Sequence, residues 1–97
     1  MNLYIYESAR KDKRFLAVFL KNDIIQFKIN FGSKNGMTFV DHGDILKRSN
    51  YLKRHAALNE NWDDPTTSGS LARWILWGDS DDIETNIKSF KKRFKLQ

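Results

Sequence analysis

The stretch DIIQFKINFG, residues 23–32, sets Ile25, Phe27, Ile29 and Phe31 against Ile24, Gln26, Lys28 and Asn30. A two-residue period of this kind is the mark of a half-buried strand. RFLAVFLK, residues 14–21, reads as its partner, and the intervening Asn22-Asp23 tolerates the positive φ of a tight hairpin. Upstream, Leu3 and Ile5 alternate with Tyr4 and Tyr6 in a short strand, ahead of the charged turn ESARKDKR. The first forty residues therefore predict an antiparallel sheet of three strands, or four if MTFV, residues 37–40, joins beyond the loop GSKNG.

After residue 43 the periodicity changes. Asp44 can cap a helix over 44–58, with Ile45, Tyr51, Leu52, His55 and Leu58 at helical intervals. NENWDDPTTSG is a loop by composition. Thr67 or Ser68 then opens a helix over 67–77, where Leu71, Trp74, Ile75 and Trp77 form the apolar stripe and Gly78 the stop. A third helix, over 80–95, begins at a cap on Asp79 or Ser80 and carries Ile83, Ile87, Phe90 and Phe94 at spacings of four, three and four. Acid fills its first turns and base its last, as the helix dipole favours. The fold class predicted is α+β, one domain over 1–97, with a small N-terminal sheet packed against three C-terminal helices.

Ninety-seven residues bury only about two thirds of their unfolded surface, so the core must be efficient. Seven Phe, three Tyr and three Trp supply it. All three tryptophans fall within WDDPTTSGSLARWILWG, residues 62–78, on or beside a helix that is apolar almost all round. Such a helix is buried, so the rings are expected to be core and not a stacking platform. Arg73, enclosed by them, needs a carboxylate or a ring face, and Asp63 and Asp64 are the expected partners.

The net charge of +5 is unevenly laid out: +6 over residues 1–59, −6 over 60–84 and +5 over 85–97. Basic zones attract phosphate polymers or acidic protein surfaces. On the first helix, Lys47, Arg48, Tyr51, Lys53, Arg54 and His55 form one candidate surface. Lys88, Lys91, Lys92, Arg93 and Lys95 at the C-terminus form a second, and both suit phosphate contacts in nucleic acid. The alternative is that the acidic segment neutralises these cations internally.

Cysteine is absent, which excludes disulfides and thiol chemistry. No nucleophile motif, phosphate-cradling glycine loop or spaced metal-ligand set occurs. His42 and Asp44, within DHGD, are read as a helix entry. No catalytic residue, metal or cofactor is assigned. No apolar run approaches the ~20 residues of a membrane span, and an intracellular, soluble protein is expected.

Several of these segments together resemble an uncharacterised family of small proteins from large nucleocytoplasmic DNA viruses. They are Tyr4-Ile5-Tyr6, Ala17-Val18-Phe19, the basic helix with Tyr51 and Arg54-His55, Trp62, the turn at 67–69, Arg73-Trp74-Ile75-Leu76-Trp77, and Lys91-Lys92-Arg93-Phe94. Ser68 replaces the alanine common before the glycine. The resemblance implies a compact domain of viral or virus-derived origin, resident in the host cytoplasm or nucleus or packaged in a virion. It brings no catalytic residue. The functional expectation is a non-enzymatic nucleic-acid-binding protein, the alternative a structural subunit of a virion or other assembly.

Overall fold

Alternation produces the sheet. In the computed structural model, which describes residues 1–97, strands β1 (Asn2–Glu7), β2 (Lys13–Lys21) and β3 (Ile24–Ser33) pair antiparallel in the order β1-β2-β3. Asn22 and Asp23 take φ of 52° and 63°, the two positive values a type I′ hairpin requires. Cross-strand register joins Leu3 to Phe19 and Phe27, Ile5 to Ala17 and Ile29, and Phe15 to Phe31, so these residues share one face. On that face Leu3, Ala17, Phe19 and Phe31 meet Leu71, Ile75, Leu76 and Phe90 in one core cluster. Each large aliphatic or aromatic side chain so enclosed contributes about 1.5–3 kcal/mol.

The alternation breaks in one place. Phe19 pairs with Phe27, but Leu20 pairs with Ile25, so Gln26 is an extra residue in a bulge. An inserted residue reverses side-chain parity beyond it. Ile25 therefore leaves the face of Phe27, Ile29 and Phe31 and stands beside Leu20 on the other side, half exposed.

MTFV is not a fourth strand. Thr38 donates both its N–H and its hydroxyl to the Asp41 carboxylate, each at 2.8 Å, and a one-turn helix follows, α1 (Phe39–His42). Gly43 ends it at φ 64°. Local capping thus wins over the β-propensity of a short apolar run. The same carboxylate accepts both terminal nitrogens of Arg14, at 2.7 and 2.8 Å, which ties α1 to β2.

That Arg14 fork, reinforced by Thr38, holds Asp41 down to about 2. A depressed carboxylate stabilises the fold above its unfolded value and ceases to do so as pH falls through the folded one. Denaturant melts of wild type and Asp41→Asn should differ at pH 5 and converge as pH drops toward 2. A constant gap across that window would contradict the linkage.

Helix α2 (Ile45–Ala56) starts where expected, with the Asp44 carboxylate accepting the N–H groups of Leu46 and Lys47. It stops two residues early, ahead of Asn59 at φ 56°. Its expected stripe is only partly right. Ile45 and Leu58 are 75% and 66% exposed, and Tyr51 is the buried contact. Helix α3 (Ser68–Leu71), capped by Thr67, runs straight into a π-helical segment, Ala72–Leu76. There the Trp77 N–H donates to Ala72 O, five residues back. The extra residue turns Trp77 by about 100° from an α-helical position.

Helix α4 (Ile83–Arg93) is capped by Asp82, not by Asp79 or Ser80. Residues 79 and 80 are held elsewhere, Asp79 by Arg48 and Ser80 by the buried Asn86. The helix ends at Arg93, and Lys95 follows at φ 55°. Gln97 then lies along the outer edge of β1, its carbonyl accepting the Leu3 N–H and its N–H donating to Met1 O. The fold is α+β, with α3, the π segment and α4 packed on one face of the sheet. No helix is long and apolar enough to cross a membrane.

Candidate functional site

Helix α2 carries two polar stripes of identical spacing. Arg48, Tyr51 and His55 occupy i, i+3 and i+7 of one, and Lys47, Asn50 and Arg54 occupy i, i+3 and i+7 of the other. Only one of them can face the rest of the molecule.

The inward stripe is the first. Arg48 Nε donates to the carbonyls of Trp77 and Gly78, at 3.2 and 2.8 Å, and its Nη2 pairs with Asp79 at 2.9 Å. These are the orphan carbonyls at a helix end, where a cation is favoured. Tyr51 lies between two rings, with centroids 4.1 Å from His55 and 4.2 Å from Trp77, the latter nearly parallel. Burial, with Glu60 nearby, pushes the Tyr51 phenol up to about 12, so it stays neutral at ordinary pH. His55 Nδ1 meets the Glu60 carboxylate at 2.9 Å. Arg48, Tyr51 and His55, expected at a nucleic-acid surface, are instead packing elements. The π-turned Trp77 is the reason, since it presents its face to Tyr51.

The outward stripe lines a cleft of about 310 Å³ together with Met37, His42 and Trp77. Lys47 and Arg54 are exposed and take no part in an ion pair. His42 Nδ1 accepts the Asp44 N–H at 2.9 Å, so the ring proton of the neutral form sits on Nε2, which is buried without a partner. The cleft thus gathers donors, an ammonium, a guanidinium and an amide, beside the buried imidazole. An anion fits such a set. Lys53 lies outside the cleft, exposed on the same helix. Met37, His42, Asn50 and Trp77 are cleft residues that the sequence did not assign to binding. The i, i+3, i+7 spacing of Lys47, Asn50 and Arg54 was the available signal.

Residues 3–55 match a family of unknown function, DUF5754. The chain belongs to this family. No curated protein and no solved structure is matched. The DUF5754 match spans the sheet, α1 and nearly all of α2, and so takes in His42, Lys47, Asn50 and Arg54 of the cleft. It stops ahead of RWILW, the segment most specific to the resemblance seen in the sequence.

Beyond the DUF5754 match, α4 holds the other predicted cations. Lys88, Lys92, Arg93 and Lys95 are exposed and Lys91 is half-buried, and none forms an ion pair. Lys92 and Arg93 border a second cleft, of about 400 Å³, with Trp74 and Asp79. Trp74 is partly buried against the core, and its ring is flanked by two guanidiniums, Arg73 at 4.0 Å and Arg93 at 3.7 Å. Arg73 takes ring faces and the Trp77 carbonyl, not Asp63 or Asp64. Asp64 instead accepts from Thr66. Part of the acidic segment is thus engaged at fixed points: Glu60 on His55 and Trp62, Asp79 on Arg48, Asp82 at the α4 cap. No three His, Asp or Glu converge as metal ligands would.

Proposed function

We propose that this chain is a small, basic, non-enzymatic protein that binds nucleic acid through its phosphates. The supporting observation is that Lys47, Lys53 and Arg54 on α2, and Lys88, Lys91, Lys92, Arg93 and Lys95 around α4, have no carboxylate within ion-pair distance. Their charge is available to a polyanion, because no side-chain carboxylate pairs with it. Lys47 and Arg54 converge on the donor-lined cleft, which suits one backbone phosphate. A viral or virus-derived origin, implied by the resemblance, belongs to this proposal.

Binding should weaken linearly in log Kobs against log salt, by about 0.9 per phosphate neutralised on duplex DNA. Lys47→Ala with Arg54→Ala should lower that slope by about 1. Filter binding across a salt series is the measurement. A flat salt response, or no binding at low salt, rules the reading out.

Ile24 and Phe27, 65% and 44% exposed on one face of the hairpin end, and Ile25, 51% exposed on the other, favour a second reading. Exposed apolar side chains of this kind fit a subunit of a virion or other assembly that docks through protein contacts. Sedimentation that finds only monomer, with or without nucleic acid, would count against it.

A further inference from the structure

The sheet has a second face that no helix covers. Register puts Tyr4, Val18 and Lys28 in one cross-strand row and Tyr6, Leu16 and Asn30 in the next. Because Leu3, Ile5, Ala17 and Phe19 point toward the helices, these neighbours point away. None of them belongs to the core cluster or to the residues packed around it, and Val18, 8% exposed, is covered within this face by its neighbours. The Tyr4 and Tyr6 rings are 47% and 54% exposed, with centroids 6.5 Å apart and planes 24° from parallel. They are the rings on a solvent-facing sheet that base stacking requires, a role the tryptophans cannot fill.

A cation borders these rings. Lys28 is exposed, unpaired and in the same row as Tyr4, two strand spacings or about 10 Å away. A duplex gains little from such a surface, since its base faces are already stacked on one another. A second copy laid face to face would bury Lys28 without a carboxylate partner. Unpaired bases with a phosphate backbone answer to both the rings and the charge.

We propose that the open face of the sheet binds single-stranded nucleic acid, with bases stacked on Tyr4 and Tyr6 and a phosphate against Lys28. This rests on the nucleic-acid reading above and narrows it to unpaired strands. The test is fluorescence anisotropy of the full chain with labelled oligo(dT), oligo(U) and a hairpin duplex of equal phosphate number, at one salt concentration. Wild type should prefer one or both single strands to the duplex.

Tyr4→Leu with Tyr6→Leu keeps an apolar cover but removes the π faces. It should lose about tenfold to a hundredfold on single strands, with duplex binding unchanged. Tyr4→Phe with Tyr6→Phe should bind as wild type does. Lys28→Glu, an independent change on an exposed position, should weaken single-strand binding severalfold. Duplex binding as tight as single-strand binding in the wild type overturns this proposal and leaves the broader reading standing. So does full single-strand affinity in the leucine pair. Binding to none of the three probes overturns both.

Discussion

Asn86→Leu is expected to destabilise the protein by about 3–5 kcal/mol, because one buried and two half-buried polar groups lose their partner at once, at about 1–3 kcal/mol for the buried one and less for those that water can reach. Asn86 is 2% exposed in α4. Its amide donates to Ile75 O at 3.0 Å and Ser80 O at 2.7 Å, and its carbonyl accepts the Ser80 N–H at 3.1 Å. One side chain thus fastens the end of the π segment and the following turn onto α4. Gly78 has to be glycine for the same reason, since a Cβ there would lie 2.4 Å from Trp74 O and 2.6 Å from Asn86 Cγ. A domain this size has only about 5–15 kcal/mol in hand, so the variant should melt far below wild type in urea. Asn86→Ala, which leaves room for water, should cost less. Wild-type melting of the leucine variant would contradict the role assigned to this residue.

Trp74→Ala should cost a similar amount, about 3–5 kcal/mol, the range for deleting a large ring from a packed site. More than area is lost. The indole N–H donates to Trp62 O at 2.9 Å, which anchors the long loop. The ring also separates Arg73 from Arg93, each of which rests on it. Burial, then the positive charge of Arg48, already lowers Arg73 from the usual arginine range. Without the indole, Arg73 and Arg93 face each other across a gap. Added salt should therefore recover part of the loss in Trp74→Ala but little in Asn86→Leu. Thermal melts of both variants at low and high salt make the comparison. Equal salt responses would mean that the guanidinium pair is not what Trp74 separates.

Much of the architecture was legible in the chain. The alternation at 23–32, the Asn22-Asp23 turn, the caps at Asp44 and Thr67 and the Ile83, Ile87, Phe90, Phe94 stripe each depend on a few neighbouring residues, and each occurs as expected. Thr38 and Asp41 were legible too, as a capping pair three residues apart, but the apolar run MTFV drew the reading toward a strand. The bulge at Gln26 had no local signal, because Ile24 and Ile25 offer either face an isoleucine.

The candidate site divides along the same line. Residue types, charge zones and helical spacing, all visible in the sequence, determined that α2 and α4 carry cations and that Trp74 and Trp77 pack against the core, though each keeps an exposed edge at a cleft. Which α2 stripe would be free was settled only in three dimensions. Arg48-Tyr51-His55 and Lys47-Asn50-Arg54 are equivalent by spacing, and the choice falls to Trp77 and two helix-end carbonyls some thirty residues away in the chain. The exposure of Tyr4 and Tyr6 has the same origin. Alternation tells that a strand has two faces, but the side that the helices cover is a property of the whole assembly, because burial depends on what lies opposite and not on what lies adjacent.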